Sequence, residues 1–483
     1  MTTSIPATQT ISAYFFRCCD EIGLISLHYA PLDTKLLCLQ RFVRFIAYGG
    51  TTLILATYLS VLGNSDGRIG LFMTLTLVGD VVISFFLTLF ADRLGRKMIL
   101  VVGSLLMVGS GIVFGLTSNF YLLLLAAVFG VISPSGNEVG PFRAVEESTL
   151  AHLTPEAARG DIFAWYVLIG YAGTAIGTIV SGWVVERLRV TRGDVVFAYR
   201  VVFWIYAAMG TLKFLMACAL SKNIEAEETD PVIIDQGDEE APLLVDRPVD
   251  AAGNEEDNDS GEPKTNKTFM GIGRENLSTY IQLCLFFGLD SFASGLATTT
   301  WLTYYFHLKF NLQEGKLGSL FSGLAIIIAL SVLVASSIAK RIGNIKAMAF
   351  THLPSAITLM LIPLPSTVGP AIAFLIIRAC SQSMDTAPRT AFLTAVIVPR
   401  ERTAVMGFIN VVKTMTQSLG PLVTGVLAGR GAFGVSFIIA GALKIVYDLG
   451  ILAVFVGHKS QAGKEPEGGL AVAVERENDE EDD

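Results

Sequence analysis

The chain has few charged residues, few histidines and no cluster of residues at metal-ligand spacing. Lys, Arg, Asp and Glu make up 16% of its 483 residues, against 52% hydrophobic residues. The six cysteines are scattered and form no CxxC pair, which argues against a disulfide framework or a zinc site. The sequence also lacks a phosphate-binding loop and a nucleophile elbow. We therefore expect no cofactor and no enzyme activity.

A signal-peptide pattern is also missing, because residues 1–40 contain no uninterrupted apolar core. The net charge of −8 comes from two polar stretches. Residues 224–262 hold 15 acidic residues and residues 465–483 hold nine, with one Arg in each, so the rest of the chain is basic. A basic remainder is typical of a membrane domain whose loops lie against anionic lipid. Nucleic-acid binding gains no support.

The apolar residues form long runs instead. A mean hydropathy of +0.57 is too high for an ordinary soluble globule of this length. Twelve runs are near the roughly 20 residues that a helix needs to cross a bilayer. We predict an all-α integral membrane protein. The predicted spans are residues 43–63, 69–91, 98–117, 120–147, 162–185, 200–220, 278–304, 317–338, 346–363, 367–386, 403–429 and 432–457.

The twelve runs fall into two related sets of six. Residues 91–97 read ADRLGRK and residues 339–345 read AKRIGNI, 248 residues apart and each after the second run of its set. This duplication predicts two pseudo-symmetric six-helix halves that alternate access to a central cavity. The predicted order is a cytoplasmic N-terminal segment, an N-terminal half, an acidic disordered cytoplasmic linker, a C-terminal half and an acidic disordered cytoplasmic tail. These segments are residues 1–40, 41–220, 221–276, 277–457 and 458–483.

An even number of spans places both termini on one side of the membrane. Basic residues in the short loops on that side predict that it is cytoplasmic. One loop disagrees, because Arg187, Arg189 and Arg192 would lie on the opposite side. The expected location is the plasma membrane or a vacuolar or lysosomal membrane.

The acidic linker contains a short sorting pattern. Residues 239–244 read EEAPLL, so that Glu239 precedes the leucine pair Leu243 and Leu244. This spacing matches the acidic dileucine signal by which sorting adaptors direct cargo to the vacuole or lysosome. The alternative is a chance pair of leucines in a polar segment.

The loop between the second and third spans has a composition suited to gating. Gly95 permits a tight turn between two helix ends, and Asp92 can accept hydrogen bonds from backbone N–H groups or from an Arg. Arg93, Arg96 and Lys97 would hold the cytoplasmic face. We predict a latch that closes one side of the protein. The alternative is a basic loop that only sets the topology.

Two six-span halves, a long central loop and this loop sequence together resemble the major facilitator superfamily over residues 41–457. The second copy of the loop keeps Arg341 and Gly343, but Lys340 replaces the acidic residue. The resemblance implies a secondary active transporter that carries a small molecule, as a symporter or antiporter, with coupled protons. Residues 133–142, 351–355 and 381–385 are similar to a microbial subgroup of transporters of unassigned substrate.

Ionisable residues inside the spans are candidates for the substrate and proton site, because each costs about 2.5–3.5 kcal/mol in hydrocarbon. Asp290 falls near mid-depth in the seventh span, with Ser294 one helical turn away. Asp80 lies in the second span and has an equally simple alternative role as a brace for the loop that follows. Acids at a cavity slightly favour a cationic or proton-exchanged solute.

Glu138 and Asp385 occupy matching places in the two halves. Each stands three residues before a proline, and Arg143 and Arg389 follow. A carboxyl in an apolar environment exchanges its proton more readily near neutral pH, so either acid is a candidate for proton coupling. Alternatively, Asp385 pairs with Arg389, and Arg143 pairs with an acid one turn later.

Two further expectations complete the prediction. Lys444 and Asp448 are four residues apart and are expected to neutralise each other. Lys213 is expected to snorkel or to pack against polar neighbours. A second function remains open, in which the protein is a non-transporting receptor or scaffold that acts through its acidic linker and tail.

Overall fold

The computed structural model describes residues 23–130, 132–135, 141–225, 276–399 and 401–455. Within these ranges it describes all side chains except those of residues 84–94, 141–142, 157, 336–337, 340 and 403. The described residues form helices joined by short connections, and no strand occurs among them.

The first half of the described chain contains eight helices and one short 3₁₀ turn. The helices are α1 Leu24–Tyr29, α2 Leu32–Val61, α3 Asp66–Leu94, α4 Arg96–Leu116, α5 Phe120–Phe129, α6 Pro141–Leu153, α7 Glu156–Arg192 and α8 Val195–Ala219. The 3₁₀ turn at Lys222–Ile224 follows α8.

The second half contains eight further helices. They are α9 Leu277–Leu296, α10 Thr299–Phe310, α11 Glu314–Ile342, α12 Asn344–Leu361, α13 Val368–Ser381, α14 Thr386–Val396, α15 Arg402–Gly429 and α16 Phe433–Phe455.

Seven helical segments in the described part of the chain are long and apolar enough to cross a membrane. They are Leu32–Val61, Arg96–Leu116, Ala158–Arg192, Val195–Ala219, Leu277–Phe310, Glu314–Ala335 and Phe433–Phe455. Two shorter apolar helices are Phe120–Phe129 and Val368–Ser381. An all-α membrane protein is therefore confirmed, whereas the count of twelve spans stays a prediction.

Two predicted boundaries differ from the structure. The first long helix begins at Leu32, before the predicted start of the N-terminal half at residue 41, because polar residues such as Gln40 and Arg41 are buried within it. The predicted disordered linker begins at residue 221, yet Ser221 bonds Asp33 through its backbone N–H at 2.9 Å, and the turn at Lys222–Ile224 follows. The rest of the linker and the tail lie outside the described residues.

Two of the predicted spans are interrupted rather than continuous. The fourth is divided into α5 and α6 and the seventh into α9 and α10, whereas the helix of the tenth ends at Ser381 and a further break precedes α14. Thr298 marks the break in the seventh span and caps α10 by accepting a hydrogen bond from the Trp301 backbone N–H at 3.3 Å. Breaks of this kind occur in membranes only where the backbone is buried in protein or lines a cavity. The irregular backbone at these breaks is therefore expected to lie at the centre of the molecule.

The two halves meet closely where α7 packs on α11. A Cβ at Gly182 would overlap the Glu314 carbonyl oxygen, and one at Gly318 would lie 2.5 Å from the Thr178 carbonyl oxygen. Backbones approach this closely only where no Cβ intervenes. The Tyr199 hydroxyl donates to the Glu314 carboxylate at 2.7 Å, which adds a polar contact across the same boundary.

A related contact joins α3 to α15 on the opposite side of the boundary. A Cβ at Gly70 would lie 2.6 Å from the Pro421 carbonyl oxygen, and one at Gly425 would lie 2.5 Å from the Asp66 carbonyl oxygen. The Tyr304 hydroxyl also donates to Asp66 at 3.0 Å. The hydrogen bonds described between the halves lie near these α7–α11 and α3–α15 contacts or near mid-depth. We call the end of the bundle that contains the two contacts the closed end.

Candidate functional site

A cavity of about 300 Å³ lies between the two halves. Helices α2 and α7 line it from the first half, and α10, α11 and α13 line it from the second. Its polar wall includes Arg41, Arg378 and Gln382, together with hydroxyl groups such as those of Thr174 and Ser383. Apolar side chains line the remainder. These are Phe45, Leu302, Phe321, Leu324, Ile328 and Leu375.

A second cavity of about 160 Å³ shares Arg378, Gln382 and Ser383 with the first. Lys444 and His352 also line it. The described residues that line the two cavities include no carboxylate. Of the acids expected at the central site, Asp290 and Asp385 pair with basic residues. Glu138 lies outside the described residues, so its place at the site stays a prediction.

Asp290 lies at the centre of a buried ion cluster in the second half. It accepts a hydrogen bond from Lys444 at 2.6 Å and lies 3.2 Å from Arg389. Arg389 also pairs with Asp385, as the spacing of four residues suggested. Lys444 donates in addition to Ser294 at 2.8 Å. The cluster therefore joins α9, α14 and α16, and Lys444 connects it to the second cavity.

The expected pair between Lys444 and Asp448 does not form. Although the two residues are four apart on α16, Lys444 bonds Asp290, whereas Asp448 bonds the His352 ring at 2.9 Å. Side chains on neighbouring helices offer shorter contacts than the one along the helix. His352 is buried, lines the second cavity and lies next to the ion cluster.

The first half contains an ion cluster of its own. Arg44 donates two hydrogen bonds to Glu146, at 2.6 and 2.7 Å, in the bidentate geometry that gives the strongest pairs. The Tyr166 hydroxyl donates to the same carboxylate at 2.6 Å, and Lys213 lies 3.4 Å from it. Lys213 is 1% exposed, so of its two expected arrangements it packs against polar neighbours and does not snorkel.

Arg41 lies between this cluster and the central cavity. Its guanidinium is stacked over the Tyr166 ring at 3.9 Å and over the Phe45 ring at 4.7 Å. Stacking on aromatic faces is a common way to hold an Arg whose polar edge faces a cavity. Arg143 also lines the cavity, but its side chain is half exposed and pairs with Glu147 at 2.7 Å.

The proposed gating loop is only partly described. Gly95 has a φ of 81° and directly precedes α4. The Glu225 carboxylate accepts hydrogen bonds from the backbone N–H groups of Arg96 at 2.6 Å and Lys97 at 3.1 Å. An acid from the start of the linker therefore caps this helix. The side chains of Asp92 and Arg93 lie outside the description.

The second copy of the loop has a similar backbone and different surroundings. Gly343 has a φ of 84°, and a Cβ there would meet open space, whereas one at Gly95 would lie 3.0 Å from Glu225. Arg341 is exposed. Among the described residues, only the first copy therefore has an acid at the N-terminus of the helix that follows.

The other predicted site residues are distributed as follows. Asp80 is buried in α3 at 7% exposure. Glu138 and the sorting residues Glu239, Leu243 and Leu244 lie outside the described residues. Sequence reasoning missed Arg378, Arg41, Arg44 and Glu146 as members of a site. Arg378 carried a detectable signal, because it is the only charged residue within the apolar helix α13.

These features define a helical membrane protein with a central cavity between two related halves. The sequence profile of the Major Facilitator Superfamily matches residues 37–381 and 279–475, which together span most of the chain. The chain belongs to this family of membrane transporters, and it is therefore a transporter and not an enzyme. The resemblance noted in the sequence is confirmed.

Two relatives illustrate the sequence similarity. The membrane protein YJR124C of Saccharomyces cerevisiae is 36% identical over 448 residues, which cover 90% of this chain and 97% of the yeast protein. The quinolone resistance protein NorA of Staphylococcus aureus is 26% identical over 179 residues, which cover 37% of this chain and 42% of NorA.

Solved structures support the same fold. The nucleoside transporter NupG has a TM-score of 0.63 and 14% sequence identity. The alignment covers 89% of this chain and 100% of NupG. A D-xylose–proton symporter has a TM-score of 0.63 at 14% identity, over 87% of this chain and 96% of the symporter.

Proposed function

We propose that the protein is a secondary active transporter that moves a small solute by alternating access. The observation that carries this proposal is the cavity between the halves, together with the glycine contacts that join the halves at the closed end in the described part of the chain. A cavity between two repeats is the arrangement that rocking of the repeats would open to either side in turn. We infer that the end opposite the closed end faces the cytoplasm, because the basic loops predicted to be cytoplasmic lie there.

We further propose that protons drive the transport through the second-half cluster. Asp290 faces Lys444 and Arg389, Asp385 shares Arg389, and the pair of His352 and Asp448 lies alongside. Protonation of Asp290 would weaken its two ion pairs. Lys444 would then keep its hydrogen bond to Ser294 and present its charge to the second cavity. A proton could thereby change which groups face the solute. The symporter among the structural neighbours supports the same idea by analogy of fold alone.

The alternating-access proposal is tested with a cross-link across the closed end. Trp183 and Ser319 lie on α7 and α11, and the indole N–H donates to the serine hydroxyl at 3.0 Å. In a variant without native cysteines, we expect Trp183→Cys with Ser319→Cys to form a disulfide that abolishes transport, and reduction should restore it. The assay uses any solute that raises the melting temperature of the purified protein.

Two controls complete the experiment. Each single cysteine variant should transport normally in oxidising conditions. Unimpaired transport by the fully cross-linked protein would show that this end need not open, which contradicts the proposal.

The scaffold function and the sorting signal are tested in cells. Deletion of residues 228–262 leaves Glu225 in place, so a transporter should retain its flux, whereas a scaffold should lose its function.

We propose that Leu243 and Leu244 direct the protein to a vacuolar or lysosomal membrane. Replacement of both by Ala should then move it to the cell surface, and an unchanged location would exclude this role.

A further inference from the structure

Arg378 has no counter-ion among the described residues. It lies near the end of α13, and its side chain lines both cavities. Its Nε atom is buried without a hydrogen-bond partner. No described carboxylate lies within ion-pair distance of its guanidinium, whereas the nearby cations Arg389 and Lys444 both pair with Asp290. A buried guanidinium without a carboxylate partner in the described part of the chain is costly within a membrane protein and is a candidate for a functional position.

The surroundings of Arg378 suit an anion. Gln382 and Ser383 lie on the same wall and can donate hydrogen bonds, as can Thr299 from α10. Arg41 lines the cavity from the first half, held by its stacking on Tyr166. An anion between the halves would therefore contact basic side chains from both of them.

The rest of the cavity wall is apolar. Side chains such as Phe45, Phe321 and Leu375 contribute to it. A volume of about 300 Å³ is at the lower end of small-molecule sites. An inorganic ion would leave this apolar surface wet, whereas an anion with an apolar body would cover it.

We propose that the transported solute is a small organic anion, a carboxylate or sulfonate with an apolar body, whose charged group binds Arg378. The planar guanidinium can donate two parallel hydrogen bonds to such a group. The inference rests on the proposed transport function and specifies its substrate class. It reverses the expectation of a cationic solute, which depended on acids that the structure pairs with basic groups.

The proposal is tested by binding of three naphthalene compounds to the purified full-length protein. They are 2-naphthalenesulfonate, the neutral 2-naphthalenemethanol and the cationic 2-naphthylmethylammonium, and their own fluorescence reports binding. We expect the sulfonate to bind most tightly. Arg378→Gln should weaken sulfonate binding about tenfold or more, because a charge-assisted bidentate contact is lost. Arg378→Lys should restore part of it.

The matched control is Lys346→Gln, which removes an exposed cation from α12 and should leave the affinity unchanged. Tighter binding of the ammonium compound would overturn the proposal, as would full sulfonate affinity in Arg378→Gln. A measurement without ligand gives an independent result. A guanidinium kept for binding and not for folding should leave Arg378→Gln with an equal or higher melting temperature, whereas a clear decrease would indicate a structural role.

Flux into proteoliposomes separates the two proposals. Sulfonate binding that depends on Arg378, without any flux, would contradict transport and keep the anion site. Flux of the neutral or cationic compound that is unaffected by Arg378→Gln would keep transport and overturn the anion site.

Discussion

Each half of the protein holds a buried ion cluster, and the two clusters have opposite polarity. Arg44 lies on α2, the first long helix of the first half, and Asp290 lies on α9, the first helix of the second half. Arg44 pairs with Glu146 on α6, whereas Asp290 pairs with Arg389 on the corresponding helix α14. The residue on the first helix is thus basic in the first half and acidic in the second, and its partner on α6 or α14 has the opposite charge.

The last helix of each half supplies the same residue to its cluster. Residues 210–213 read GTLK and residues 441–444 read GALK, so Lys213 and Lys444 are counterparts. Each lysine contacts the carboxylate of its cluster, Lys213 at 3.4 Å and Lys444 at 2.6 Å. Each half therefore has an ionic junction of three helices, with a lysine supplied by its last helix.

The clusters differ in their access to the cavities. Arg44 and Glu146 are at most 1% exposed, and Tyr166 adds a hydrogen bond that helps to satisfy the carboxylate. In the second half, the Arg389 side chain is 18% exposed and Lys444 lines a cavity. This difference indicates a structural role for the first cluster and a functional one for the second. Both clusters are well paired, so pairing does not distinguish their roles. Access to the cavity does.

The largest expected effect is on the first cluster. Glu146→Gln leaves Arg44 and Lys213 without their shared carboxylate in a buried position, so we expect a loss of about 3–5 kcal/mol in unfolding free energy. Thermal and denaturant unfolding in detergent would measure it. The control is Glu147→Gln, which removes a more exposed pair with Arg143 and should cost less than about 1 kcal/mol. Equal stabilities of the two variants would remove the structural role of Glu146.

A change at the closed end should have an intermediate effect. Gly318→Leu places a side chain where only 2.5 Å separates a Cβ from the Thr178 carbonyl oxygen, so α7 and α11 must move apart. We expect this variant to expose a cysteine introduced at Ser319 to a water-soluble thiol reagent. Gly323→Leu on the same helix meets open space and should change nothing. Equal thiol reactivity in the two variants would argue against the glycine contact as the seal of this end.

The smallest expected effect compares the two loop copies. Glu225→Gln removes the negative charge at the N-terminus of α4, which should cost about 0.3–1 kcal/mol at low salt. No described acid caps α12. Lys346→Gln removes a positive charge at the start of this helix, so it should leave the unfolding free energy unchanged or raise it slightly. Melting temperatures at low and high salt would show the difference. A loss of stability in Glu225→Gln that does not diminish with salt would indicate that the hydrogen bonds, and not the charge, stabilise the helix.

The sequence predicted the duplication and the helices well, because periodic apolar runs and a repeated loop are local signals. Gly182 and Gly318 form contacts between the halves that only the packing shows. Pro141 and Pro388 lie in the first turns of α6 and α14, where the missing backbone donor of proline is tolerated.

Spacing suggested the pair of Asp385 and Arg389. The partners on neighbouring helices could not be predicted, because spacing along one helix says nothing about the helix beside it. Lys444 and Asp448 fit a pair at four residues, yet each finds a partner on another helix. Glu146 and Glu147 are adjacent in sequence, and only the packing shows that the first is buried with Arg44. The lone Arg378 was visible in its apolar run, but its lack of a described counter-ion is a property of the fold.

We propose that Asp290 carries the coupling proton, whereas the cluster of Arg44 and Glu146 holds the fold. The most direct measurement is accumulation of the transported solute in proteoliposomes under a pH gradient, together with exchange of the same solute without a gradient. For Asp290→Asn we predict that pH-driven accumulation is lost and exchange is retained, with partial recovery in Asp290→Glu. Full pH-driven accumulation by Asp290→Asn would contradict the claim.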